Sequence, residues 1–202
     1  MYKEGFNKAN IYENILWSFE KETAVKNRPC VFLSHKREDK AACKIIASYL
    51  KDAGIDYYLD IEDSNLQSAA NSSDSIKITE SIKEGINNST HMLVVISEKT
   101  YKSLWVPFEV GYGHASLLDQ DKLNVESNKL KLSVLTLRDI SEVNLPDYLQ
   151  VAYMIKGTKS LNEYINKINN RIGIESSFLN EVRMKSHSET IHPLDGVLNW
   201  KL

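Results

Sequence analysis

The run "HMLVVIS", His91 to Ser97, decides the fold. Its apolar residues follow one another without alternation, and β-branched side chains fill its centre. A strand of that kind belongs in the middle of a parallel sheet covered on both faces. Its core "MLVVI" is the longest uninterrupted aliphatic run in the chain, and it is far too short to span a membrane.

Upstream, "DSIKITESIKEGINNS" (74–89) carries Ile78, Ile82 and Ile86 at spacing four behind Asp74 or Ser75 as a cap, which predicts a helix. Before it, "IEDSNLQSAANSSDS" (61–75) is polar and rich in Ser and Asn, and reads as a long loop of the functional or mobile kind. "PCVFLS" (29–34) and "IDYYLD" (55–60) read as strands. Between them "DKAACKIIASYLKDAG" (39–54) reads as a helix with Ala42, Ile45, Ile46, Tyr49 and Leu50 on one face and Gly54 as its stop. Residues 9–26 space Ile11, Ile15, Leu16 and Phe19 as a short amphipathic helix.

Downstream, Pro107 suits the first turn of a helix that begins near Leu104 or Trp105. A polar turn (119–129), a strand "LKLSVLTL" (130–137), a loop through Pro146, a strand "VAYMI" (151–155) and a helix "SLNEYINKINNRI" (160–172) complete the pattern. The alternation of strands and helices predicts an α/β fold, a flavodoxin-like, doubly wound, parallel five-stranded sheet. Ligands of such sheets bind at the carboxyl ends of the strands. That rule selects Ser34–His35, Asp60, the segment from Ser97 onward, and Arg138–Asp139.

The 202 residues suit one domain with extensions, and their composition, 42% hydrophobic and 26% charged, is that of a soluble globular protein. A formal net charge of -2 and the absence of a dense basic stripe argue against a nucleic-acid surface. In "HKREDK" acids and bases interleave as on a solvated face. The two cysteines, Cys30 and Cys43, fall in apolar contexts that suit reduced structural thiols. The amino-terminal residues lack the apolar core of a signal peptide, so a cytoplasmic protein is expected.

Familiar chemistries of this fold are missing. No glycine follows the first strand, which removes a dinucleotide fingerprint and a phosphate loop. The third strand ends in Ser97 where a phospho-acceptor receiver needs an aspartate, and no G-x-S-x-G elbow occurs. Ser34 has no His–Asp partners evident around it, and His91, His114, His187 and His192 lack metal-ligand spacing. A carboxylate remains. In "YKSLWVPFEVGYGH" (101–114) Glu109 lies on the first turns of the helix after the central strand, at the carboxyl edge. Ser103 can cap that helix or meet a ligand hydroxyl, and Trp105, four residues before Glu109, can pack beneath it and desolvate it. Tyr101 or Tyr112 can stack on a ring of a substrate. Gly111 and Gly113, poor helix formers, imply a close approach to that helix.

"VFLSHKREDK", the "YLD" that ends the second strand, and S-x-W-x-x-x-E after the third resemble the Toll/interleukin-1 receptor (TIR) domain over about two thirds of the chain, Cys30 to Ile168. The resemblance is to its bacterial NAD-cleaving branch, with proteins of Thoeris-like antiphage defence. It implies a catalytic role for Glu109, a substrate pocket lined by Ser34, His35, Asp60, Ser103 and Trp105, and no metal. NAD would be the substrate, with no further cofactor. It implies domain bounds of 1–28 for a helical extension, 29–172 for the TIR domain and 173–202 for a second extension, the extensions dressing the domain or mediating assembly. The segment after Asp60 takes the place of the family's BB loop, without the glycine or proline many members carry there. The partners implied are NAD, other copies through TIR–TIR contacts, and a separate effector answering to the product, with no nucleic acid or membrane. The alternatives are an NAD-depleting hydrolase, a non-catalytic adaptor, and a nucleoside-processing transferase. An adaptor has no need of Glu109.

Overall fold

The computed structural model describes residues 4–10, 28–118, 128–138, 140, 145–170 and 192–199. Most of the helix expected over 9–26, most of the turn over 119–129, Asp139 and much of the final segment lie outside the described residues.

Five strands form one parallel sheet: β1 (Cys30–Ser34), β2 (Asp56–Tyr58), β3 (His91–Ile96), β4 (Leu132–Thr136) and β5 (Tyr153–Ile155). Their order, β2-β1-β3-β4-β5, is the flavodoxin-like one. The run that predicted a central strand occupies the central position, and all of its strand residues are buried. Side chains alternate across the sheet. Val31, Leu33, Leu93 and Val95 join a core with α1 (Lys40–Asp52) and α5 (Thr158–Asn170). Phe32, Met92, Val94 and Ile96 join the opposite core, with α2 (Ser64–Asn71), α3 (Ser75–Asn87) and α4 (Trp105–Gly113).

Local chemistry explains the element ends. The Asp74 side chain accepts from the Lys77 N–H at the start of α3. After α1, Gly54 takes φ 76°, and Ile55 N–H returns to the Leu50 carbonyl. The close approach expected at the α4 glycines exists at Gly113, where a Cβ would lie 2.5 Å from Met92 Cε, whereas Gly111 faces open space.

Three expectations need correction. Ile45 does not belong to the buried face of α1: it is 41% exposed, and Cys43, Ile46, Ala47, Tyr49 and Leu50 are the buried residues. The second strand is only Asp56–Tyr58, and Asp60 opens a 3-10 turn, Asp60–Glu62. The expected loop over 61–75 contains α2. Asp63 caps it by accepting from Asn65 and Leu66 N–H, and Leu66 and Ala69 form its short buried stripe. The Tyr58 hydroxyl donates to the other Asp63 oxygen, which ties the start of α2 to β2.

The described parts of both flanks share the domain's core. Residues 6–8 run parallel to β2: Tyr57 N–H donates to the Phe6 carbonyl and Lys8 N–H to the Tyr57 carbonyl, at 2.9 and 2.8 Å. This pairing covers an otherwise open sheet edge. Near the other end, Leu194, Val197 and Leu198 are buried in the α1/α5 core, and Arg138 N–H donates to the Val197 carbonyl.

Candidate active site

Side-chain parity and helix phase converge on one carboxyl group. In α4, Val106, Glu109, Val110 and Gly113 are the buried residues, so Glu109 occupies the stripe that faces the sheet. On β1, Ser34 follows Phe32 at strand spacing and points to the same side. The Ser34 hydroxyl donates to Glu109 Oε2 at 2.5 Å, and Glu109 is 4% exposed. Ser103 sits just before α4 and its Oγ accepts from the Val106 N–H at 3.2 Å, which fixes the start of the helix.

Electrostatics at this point are unfavourable to charge. Burial raises the Glu109 pKa from 4.5 to about 8; the Ser34 hydroxyl opposes that rise and the negative charge of Asp60 adds to it. Asp60 is itself raised, mainly by burial, against the pull of His35 and the Ile61 N–H. His35 Nδ1 donates to the Leu33 carbonyl at 3.1 Å and lies 3.9 Å from Asp60 Oδ1.

Glu109, Asp60 and His35 line a cavity of about 510 Å³, within the range of small-molecule sites. One wall comes from α2 and α3, with Leu66, Gln67, Ala70, Asn71, Ile78 and Ile82. Lys36, Arg37, Lys40 and Lys102 bring positive charge to the lining, beside Ser103, Leu104 and Trp105.

The structure thus brings His35, Asp60, Ser103, Trp105 and Glu109 to one cavity. Ser34, 1% exposed, stands behind Glu109 and acts on it, outside the lining. Trp105 is 40% exposed and meets Phe108 edge-on at 5.9 Å, while Glu109 turns to Ser34 on the sheet side. Tyr101 and Tyr112 stay off the cavity lining, and Tyr112 stacks on Phe108. Among the described residues, Trp105 is the only Trp, Tyr or Phe that lines the cavity. Arg138 donates to the Asp195 carbonyl and does not line it.

Sequence reasoning missed two parts. The α2 wall was hidden in Ser/Asn-rich composition, although Asp63 three residues before Leu66 is a usable capping signal. The interleaved acids of "HKREDK" suggest a solvated face, yet its cations meet the cavity; the signal for them is their position directly after a strand end. Among the described residues, no group of three or more His, Cys, Asp or Glu is arranged to hold a metal ion.

A family model described as TIR domain matches residues 31–149. The chain is also 28% identical, over 161 residues covering 77% of it and 73% of the relative, to a "Probable 3' cyclic ADP-D-ribose synthase ThsB'" of Bacillus cereus (strain MSX-D12). The match to the domain model spans more than half of the 202 residues and contains all five candidate lining residues, β1 from its second residue, and β2 to β4, up to Leu149 in the turn that precedes β5; the chain belongs to the TIR-domain family.

Proposed function

We propose that the protein cleaves the nicotinamide–ribose bond of NAD and turns the ADP-ribosyl group into a signal in bacterial antiphage defence. The observation that carries this is Glu109, a carboxyl buried at the carboxyl edge of a parallel sheet, lining a cavity and held by one hydroxyl. The name of the Bacillus cereus relative, a probable cyclic ADP-ribose synthase, supports the same substrate class.

The chemistry follows from charge. Nicotinamide bound to ribose is a cation, so it leaves as a neutral base when the bond breaks, and no general acid is required. Positive charge then develops on the ribose, and a fixed carboxylate beside it is stabilising in a site shielded from water. Burial beside the cavity raises the Glu109 pKa to about 8. A cationic substrate favours the ionised form, so binding itself charges the catalytic group. Lys36, Arg37, Lys40 and Lys102 suit the pyrophosphate, and Trp105 offers a flat face to a base.

A non-catalytic adaptor would gain nothing from an acid buried at such a cavity. Assembly between copies belongs to the proposal as the setting in which the site works. Leu104, 90% exposed, and the exposed Tyr101, Trp105, Tyr148 and Val151 are apolar surface available to it. Among the described residues no helix is long and apolar enough to cross a membrane, and a cytoplasmic site of action is proposed. The test is nicotinamide release from NAD by the purified protein, with mass spectrometry of the ribosyl product. Release of nicotinamide with a cyclic or conjugated product supports signalling, ADP-ribose alone supports depletion, and no release beyond the Glu109→Gln control rejects catalysis.

A further inference from the structure

The acids around the cavity differ in what already occupies them. Glu38 pairs with Lys36 at 3.3 Å. Asp39 accepts from the Ser97 hydroxyl at 2.5 Å. Asp63 is taken by the Tyr58 hydroxyl and by the α2 cap, and Glu109 accepts from Ser34. Asp60 is different. Its Oδ1 is buried with no hydrogen-bond partner, although the side chain keeps 32% of its surface exposed and lines the cavity with Glu109. His35, 3.9 Å away, does not satisfy it, because the Nδ1 proton is directed at the Leu33 carbonyl. A carboxylate with one buried, orphaned oxygen is costly, and the part of the group that stays exposed opens on the cavity, where an acceptor hydroxyl can reach it.

Resting on the proposed cleavage of NAD, we propose that Asp60 is the general base that activates the acceptor hydroxyl, and that Glu109 and Asp60 divide the reaction between them. Breaking the bond between the anomeric carbon and nitrogen sends its electron pair to nicotinamide, which leaves neutral, while Glu109 faces the ribosyl cation. An acceptor O–H, from water or from a ribose, then forms the new carbon–oxygen bond at the same carbon. Its proton passes to the Asp60 carboxylate and from there to solvent. Burial, which raises Asp60 above an ordinary aspartate, makes it a better base near neutral pH. Enzymes that cleave glycosidic bonds divide two carboxyl groups in the same way. The groups facing Asp60 are His35 from the end of β1, Lys40 from α1, Asp63 before α2, and Glu109 from α4.

This assignment separates acceptors that must lose a proton from those that have none to lose. A pyridine base attacks through its ring nitrogen and needs no general base. The full chain is therefore incubated with NAD and 3-acetylpyridine, and transfer to oxygen and exchange to the added pyridine are quantified in the same reaction. Asp60→Asn is expected to lower the ratio of oxygen transfer to pyridine exchange by at least about tenfold. Asp60→Glu restores part of that ratio, and Glu109→Gln abolishes both products. Because the measure is a ratio within one sample, partial misfolding of a variant does not move it. Equal depression of both arms by Asp60→Asn overturns the role of Asp60 and leaves NAD cleavage standing. If the wild type forms neither product, the reading on which the proposal rests is overturned with it.

Discussion

Glu109, in α4 beside the carboxyl edge of the sheet, and Asp56, the first residue of β2, are both buried acids with pKa values raised by burial. Their surroundings differ. Asp56, 1% exposed at the amino edge of the sheet, receives the Phe6 N–H at 3.1 Å, lies 3.7 Å from Arg28, and feels the charge of Lys8. Those groups join residues 6, 8 and 28 to β2, so Asp56 acts as a clamp with its counter-charges supplied. Glu109, at the carboxyl edge, receives one hydroxyl, and the charge acting on it is a second carboxylate. A buried acid without counter-charge is expensive to ionise. That cost is tolerable where a cationic substrate arrives to relieve it.

The contrast can be broken from either end. The largest effect is expected from Glu109→Gln, which should lower nicotinamide release by about two to four orders of magnitude, as for other charge-stabilising catalytic groups. Loss of folding in that variant, seen by circular dichroism, would place Glu109 with Asp56 as a structural acid. The reverse pattern is expected of Asp56→Ala. Chemical denaturation should show a loss of about 2–4 kcal/mol, because the Phe6 N–H loses its acceptor and Arg28 and Lys8 lose the buried carboxylate that faces them. Turnover per folded molecule should be unchanged.

Titration sharpens the same contrast. Catalysis needs ionised Glu109, so kcat/KM should rise with pH and level off above about 8, where the free enzyme's Glu109 titrates. Ser34→Ala removes the donor that favours the charged form, and the rise should move upward by about one pH unit. For stability the sign is opposite. Between pH 4.5 and about 8 folded Glu109 holds a proton that the unfolded chain has released, so this group's contribution falls as pH increases. Thermal unfolding should therefore show a smaller decline across that window in Glu109→Gln than in the wild type.

The same two ends show what sequence could reveal. Glu109 was legible because an apolar central strand and a proline-marked helix start place it at the carboxyl edge without long-range information. Its side of the helix was not: the expected packing on Trp105 gives way to a buried stripe of Val106, Glu109 and Val110. Asp56 was not singled out, since its partners lie in distant residues 6, 8 and 28 that only the tertiary fold brings together. The parallel fold followed from the strand pattern, and strand ends pointed to His35 and Asp60; the lining role of Trp105 came from the resemblance alone, and Ser34 lies one layer deeper than expected. The α2 wall escaped because a helix with only Leu66 and Ala69 buried leaves too short a stripe to outweigh a Ser/Asn-rich composition. The cations of "HKREDK" alternate with acids, and only the position of the strand end tells which of them meet the cavity.

The most direct test is nicotinamide release from NAD at pH 8.5, measured side by side for wild-type protein and a folded Glu109→Gln variant. Release by the wild type, with at least about a hundredfold loss in the variant, is the expected result. Equal release by the two proteins would contradict the account, because a carboxyl group that can lose its charge without consequence is not the one that faces the ribosyl cation.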